Sequence, residues 1–89
     1  MSKKFEFEFE DRSSSNEIAF EYDNEIEEKM SIVVENDIPV IYANRQALLF
    51  LAKALIKIAL GEYSSGFHIH LCQDLDADQP EAIRIVLNE

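Results

Sequence analysis

The strongest constraint on this chain is a run from Arg45 to Leu60 that contains neither glycine nor proline and is rich in Ala, Leu and Lys. Such a composition favours a helix. Asn44 precedes the run and has the chemistry of an N-cap, and Gly61 follows it as a typical stop. The sequence therefore predicts one helix over residues 45–60. Its predicted core stripe, at i, i+3, i+4 spacing, is Leu48, Leu51, Ala52, Leu55, Ile58 and Ala59.

Alternating apolar and polar residues on both sides of this helix predict β-strands. Phe5, Phe7 and Phe9 alternate with glutamates, which is typical of a half-buried strand. Ser13 to Asn16 is turn material, so this strand and the next are expected to form a hairpin. Pro39 lacks a backbone N–H, which favours an edge position for its strand. The predicted strands cover residues 5–10, 17–22, 29–35, 38–42, 67–72 and 82–87.

The order of these elements predicts the fold class. Short turns join antiparallel strands, and one helix covers one face of a sheet. The 89 residues suffice for one modest core. We therefore expect a single α+β domain over residues 1–89. It would be a two-layer sandwich with a mainly antiparallel sheet of five or six strands under one helix, in the order strands, helix, two strands.

The charge balance restricts the partners. Eighteen acidic against eight basic side chains give a net charge of −10. This argues against binding nucleic acid or an anionic membrane, and favours a basic protein partner. The most apolar segment, Ala47 to Leu60, is too short to span a bilayer. A single cysteine, Cys72, cannot form an intrachain disulfide, which fits the reducing cytoplasm. We expect a cytoplasmic protein.

The acidic residues are concentrated in the first half of the chain and admit two interpretations. Like charges on paired strands are destabilising, so a face of glutamates is either a solubilising surface or a platform for a cationic protein. On the second interpretation, the partner-binding residues are Glu6, Glu8, Glu10, Glu17 and Glu21, with His68 and His70 on the same exposed sheet face.

Two motifs suggest metal binding, but neither is sufficient. His68, His70, Cys72 and Asp74 share one strand parity and have the chemistry of zinc ligands, but no second ligand cluster accompanies them. The acidic segment 74–78 resembles the start of a calcium loop, whose pattern fails at Gln79 and Ile85. No catalytic signature occurs. We therefore expect a non-enzymatic protein without metal or cofactor.

The helix carries more apolar surface than one sheet face requires. Leu49, Phe50, Ile56 and Leu60 flank a polar strip that contains Lys53 and Lys57. One interpretation is a helix sunk in a curled sheet, with lysine stems over its back. The other is an exposed patch that pairs two copies in a homodimer. The second interpretation makes a homo-oligomeric structural or regulatory module the alternative function.

Several segments resemble a family of short bacterial immunity proteins from polymorphic-toxin systems. They are Ala43-Asn44-Arg45-Gln46-Ala47-Leu48-Leu49-Phe50-Leu51-Ala52, Ala54-Leu55, Gly66-Phe67-His68-Ile69-His70-Leu71 and Ile83-Arg84-Ile85-Val86-Leu87. The resemblance covers roughly residues 30–89. It implies a small cytoplasmic α+β protein that binds and neutralises a cognate toxin, and no set of binding residues follows from it. With the net charge, it gives our leading expectation: an acidic face covers the basic surface of a toxin.

Overall fold

The computed structural model describes residues 1–20, 28–74 and 79–89. Within these ranges the chain is an α+β protein, as expected, with one helix and two antiparallel hairpins. The elements in chain order are a short 3₁₀ turn at Ser13–Ser15, strand β1 at Met30–Glu35, strand β2 at Ile38–Ala43, helix α1 at Arg45–Leu60, strand β3 at His68–Cys72 and strand β4 at Glu81–Val86.

Helix α1 has the bounds predicted from its capping residues. The Asn44 side-chain oxygen accepts a hydrogen bond from the Ala47 N–H at 2.9 Å and another from the Lys29 N–H at 3.1 Å. One side chain thus caps the helix and holds the segment that enters β1. Gly61 has a φ of −72°, so backbone conformation does not require glycine at this position. Glycine is required by close approach, because a Cβ there would lie 2.7 Å from the Tyr63 ring.

The predicted sheet of five or six strands is wrong. The described residues form two separate two-stranded sheets, β1–β2 and β3–β4. The β1–β2 turn consists of Asn36 and Asp37, both with positive φ, as in the type I′ turns that suit hairpins. A backbone hydrogen bond of 2.8 Å from the Ile32 N–H to the Gln73 carbonyl connects the two hairpins.

The missing strands are those predicted at the N-terminus. Residues 5–10 and 17–20 are not strands in the structure, and residues 21–22 lie outside the described ranges. Phe5, Phe7 and Phe9 still share one side, since their rings stack in sequence with centroids 6.3 and 5.6 Å apart. The alternation therefore predicted the direction of the side chains correctly. It did not predict strand pairing, because a ladder also needs a neighbouring backbone that alternation does not reveal.

The core lies between one face of α1 and the inner sides of both hairpins. Ala47, Ala54 and Ile58 are the buried apolar residues of the helix. Ala47 packs with β1 and β3, whereas Ala54 and Ile58 pack with β3 and with half-buried residues of β4 and the N-terminal segment. The other buried hydrophobic residues are Met30, Ile32, Tyr63, Ile69 and Leu71.

The predicted core stripe of the helix is rotated from the observed one. Leu48, Leu55 and Ala59 are exposed, whereas Ala47 and Ala54 are buried. Ala47 and Ala54 allow the helix to approach the hairpins closely, and Leu51 and Ile58 pack beside them on the same face. The sequence prediction is confirmed for Leu51 and Ile58 and is wrong for Leu48, Leu55 and Ala59. This rotation determines which helix residues are available to a partner.

Candidate interaction surfaces

The N-terminal residues 5–10, here called the acidic ribbon, lie beside the lysine side of α1. The Phe7 ring centroid is 5.3 Å from the Lys53 ammonium and 5.7 Å from the Lys57 ammonium, which are cation–π distances. Phe7 and Phe9 are half-buried. The intervening carboxylates, Glu6, Glu8 and Glu10, are exposed. The ribbon thus turns its rings toward the helix and presents carboxylates to solvent.

The segment that follows the ribbon is attached to α1 and the loop after it. Buried Lys57 donates a hydrogen bond of 2.6 Å from its Nζ to the Ala19 carbonyl. The Tyr63 hydroxyl donates to the Glu17 carbonyl, and burial raises the pKa of Tyr63. The expectation that lysine stems cover an exposed helix back is thus wrong for Lys57, whose ammonium binds the N-terminal segment instead.

A turn at Asp11 and Ser13 makes a further connection between this segment and the end of α1. The Ser13 N–H donates to the Asp11 carboxylate at 2.9 Å. Hydrogen bonds from the Ser13 side chain and backbone hold the pKa of Asp11 below its usual value. The Glu62 N–H donates to the Ser13 hydroxyl at 2.9 Å. The turn after the ribbon is therefore attached to the loop just beyond the C-terminus of α1.

The chain's own cations contact two of the ribbon carboxylates. Lys4 Nζ lies 2.6 Å from Glu6 Oε1, and Arg12 Nη2 lies 3.6 Å from Glu10 Oε2. These side chains are largely exposed, and such surface pairs contribute about 0–1 kcal/mol. Because the pairs are weak, a partner's arginine or lysine can replace Lys4 or Arg12 at little cost.

The structure does not bring all the predicted partner-binding residues together. Ile69 and Leu71 are buried in the core beneath the helix, so His68 and His70 point from β3 to the opposite side of the hairpin. The ribbon instead lies against α1. The predicted common sheet face is therefore wrong, since Glu6, Glu8 and Glu10 are not on a strand. The Glu17 side chain is exposed near the ribbon, and Glu21 lies outside the described residues.

The histidines belong to a second polar patch, on the outer side of the β3–β4 hairpin. His70 Nδ1 lies 2.6 Å from Glu81 Oε2, and Arg84 donates to both Glu81 oxygens, at 3.0 and 3.3 Å. These contacts, above all those from Arg84, hold the pKa of Glu81 below its usual value. The His68 and His70 ring centroids lie 5.0 Å apart. Sequence reasoning missed Glu81 and Arg84, whose positions follow from a register that places His70 opposite Arg84.

The described residues contain neither a candidate metal site nor a candidate membrane-spanning helix. In residues 1–20, 28–74 and 79–89, no group of three or more His, Cys, Asp and Glu side chains is placed to hold a metal ion. Within the same ranges, no helix has the length and apolar character needed to cross a membrane. Cys72 is a half-buried free thiol.

A third surface is the side of α1 that neither the hairpins nor the ribbon covers. Its apolar side chains expose large fractions: 53% for Leu48, 46% for Leu49, 40% for Leu55 and 71% for Leu60. These four residues are here called the open flank. Of the predicted interface residues, Leu49 and Leu60 lie on it and Ile56 is half-buried between them. Phe50 is half-buried elsewhere, with its ring 5.7 Å from that of Phe20.

A contiguous apolar surface of this kind is unusual on a small monomer and marks interaction sites. Sequence reasoning placed Leu48 and Leu55 in the core, so it missed half of the open flank. A core stripe of Ala47, Leu51, Ala54 and Ile58 also has helical spacing, at i, i+4, i+7 and i+11. Choosing this stripe would have placed Leu48 and Leu55 on the exposed side.

Searches of protein-family models, curated proteins and solved structures find no match to this chain. The geometry of these surfaces therefore carries the functional argument.

Proposed function

We propose that this protein is a non-catalytic interaction module that binds a basic protein through the acidic ribbon. The observation that carries the proposal is the two-sided arrangement of residues 5–10. Their phenylalanine rings stack on one another and the Phe7 ring lies beside Lys53 and Lys57, whereas the carboxylates between them are exposed. A row of exposed carboxylates matches the charge-assisted hydrogen bonding of arginine and lysine.

The charge of the whole chain supports the same partner chemistry. At a net charge of −10, its field attracts cationic proteins and raises association rates by roughly 10–10³-fold at low salt. In sequence, the acidity continues beyond the ribbon, since residues 17–37 contain eight acidic residues and one basic residue, Lys29. The ribbon is thus followed in sequence by a second acidic stretch.

The particular partner we propose is a cognate bacterial toxin, which this protein binds and neutralises in the cytoplasm as an immunity protein. The resemblance over residues 30–89 supports this class of partner. The charge supports a toxin with a basic active cleft, such as one that acts on nucleic acid, because carboxylates compete with phosphate for the same arginines and lysines.

The test is binding to the toxin-domain product of the adjacent gene, measured by calorimetry at increasing salt. We expect the dissociation constant to rise at least roughly tenfold between low and high salt, since exposed charges are screened. The variant Glu6→Gln/Glu8→Gln/Glu10→Gln should weaken binding by a similar factor. The matched control is Glu28→Gln/Asp37→Asn/Glu89→Gln, which removes the same charge away from the ribbon.

Equal losses in the two triple variants would show that total charge, rather than the ribbon, drives binding. Binding that is indifferent to salt would contradict the electrostatic mechanism. A neighbouring product that does not bind at all would contradict the immunity function.

A further inference from the structure

We propose that the open flank of α1 is a homodimer interface, in which the helices of two copies pack antiparallel. The exposed apolar side chains of the flank lie on one side of a helix whose other sides already contact the hairpins and the N-terminal segment. The flank therefore has the extent of one helix face, about 24 Å for 16 residues, which suits a second helix of the same length.

The spacing of the apolar residues along this side of the helix suits a second copy. Leu49, Ala52, Ile56 and Ala59 follow at intervals of three, four and three residues, the seam pattern of two packed helices. Leu48 and Leu55 border this seam on one side and Leu60 borders it on the other. Ala52 lies at the middle of the helix. In a twofold antiparallel pair it meets its own copy at the axis, where a small side chain permits close approach.

Charge fixes the orientation of the two helices. No acidic residue occurs from Arg45 to Leu60, so the flank itself contributes nothing to the repulsion between two acidic molecules. Exposed Arg45 begins the helix on the seam side, and exposed Glu62 follows its end. An antiparallel pair places each Arg45 near Glu62 of the other copy and opposes the two helix dipoles favourably. A parallel pair would instead bring the two Arg45 side chains together.

The test is sedimentation equilibrium of the full chain, with Leu49→Glu as the disrupting variant. We expect a dimer whose dissociation constant rises roughly tenfold or more in Leu49→Glu, because each interface would then bury two unpaired carboxylates. Val86→Glu is the matched control, since Val86 is 50% exposed on β4 and lies away from the helix. Circular dichroism establishes that both variants are folded, and Leu60→Glu replaces Leu49→Glu if the latter is not.

Two further variants test the orientation. Arg45→Glu should weaken the dimer, and Arg45→Glu/Glu62→Arg should restore it. Under mild oxidation, Ala52→Cys in a Cys72→Ser background should form a disulfide-linked dimer, whereas Ser14→Cys in the same background should not.

Salt separates this proposal from toxin binding. Added salt should strengthen the dimer, because it screens repulsion between two molecules of charge −10, and it should weaken binding of a basic partner. A monomer at the highest soluble concentration would overturn the proposal, as would a dimer that Leu49→Glu and Leu60→Glu leave intact. A dimer that forms with no Ala52→Cys cross-link would overturn the seam through Ala52, and an unchanged dissociation constant in Arg45→Glu would overturn the antiparallel arrangement.

Discussion

The two sides of α1 that face away from the hairpins are opposite in chemistry and in coverage. On one side, Lys57 is buried beneath the N-terminal segment, and Lys53 lies close to the Phe7 ring. On the other side, Leu49 and Leu60 are exposed. Burial according to hydrophobicity alone would produce the reverse arrangement.

This contrast shows that polar contacts of Lys57 help to position the N-terminal segment, in addition to Ile18, which packs against the core. The Lys57 ammonium gains a carbonyl acceptor and an aromatic ring, which compensate its desolvation. The leucines have no hydrogen-bonding group that could hold the segment, so that side of the helix stays uncovered. The lysine side therefore holds the N-terminal segment, while the leucine side is the candidate for assembly.

The largest expected effect comes from comparing the core side of the helix with its open flank. Ile58→Ala should lower the free energy of unfolding by about 2–4 kcal/mol, because it leaves a cavity beside Ala54 and Ile69. Leu60→Ala should cost about 0.5 kcal/mol or less in the monomer. Urea denaturation at low protein concentration measures both. Similar losses would contradict the assignment of Leu60 to an open surface.

The lysine side is tested by comparing two lysines on the same helix. Lys57→Met keeps the apolar stem but deprives the Ala19 carbonyl of its donor, so we expect a loss of about 1–2 kcal/mol in the free energy of unfolding. Lys53→Met should cost about 0.5 kcal/mol, the size of a solvent-accessible cation–π contact. Chemical denaturation separates the two. If the two variants were equally stable, Lys57 would not hold the segment.

Both sides depend on where the helix begins, so the cap provides a third test. Asn44→Ala removes the side-chain oxygen that accepts hydrogen bonds from the Ala47 and Lys29 N–H groups, and should cost about 1 kcal/mol. Asn44→Asp should retain most of the stability, because its carboxylate accepts the same bonds at a helix N-terminus. Thermal denaturation compares the two, and equal losses would show that the cap oxygen does not act as described.

The smallest effect concerns the histidine patch, which is remote from both sides of the helix. The pKa of Glu81 is held below its usual value of 4.5, first by Arg84 and then by His70. Its contribution to stability is therefore complete above pH 4.5 and is lost as the pH falls through the lowered pKa. Carboxyl titration by NMR should show the midpoint of Glu81 below 4.5, and Arg84→Ala should move it upward. An unchanged midpoint would exclude Arg84 as the main cause.

The elements predicted correctly from sequence are those specified locally. The Asn44 cap, the stop at Gly61 and the helical composition between them fixed α1, and the alternation in residues 68–72 and 81–86 fixed the second hairpin. Each of these signals acts within a few residues. The α+β class followed from them.

What sequence could not predict depends on contacts between distant segments. The ribbon has the period of a strand, but it is placed by Lys53 and Lys57, which lie more than forty residues away in sequence. The rotation of the helix likewise depends on how closely the hairpins approach Ala47 and Ala54. The assignment of glutamates to a sheet face failed for the first reason, and the assignment of Leu48 and Leu55 to the core failed for the second.

The hydrogen bonds of Lys57 and Tyr63 have a consequence for sequence divergence in the N-terminal segment. Both side chains grip main-chain oxygens, at Ala19 and Glu17, and such acceptors are present whatever residue occupies the position. Replacing the Glu17 side chain thus leaves its anchor in place. The exposed side chains of the N-terminal segment can therefore change during evolution while the segment stays hydrogen-bonded to Lys57 and Tyr63.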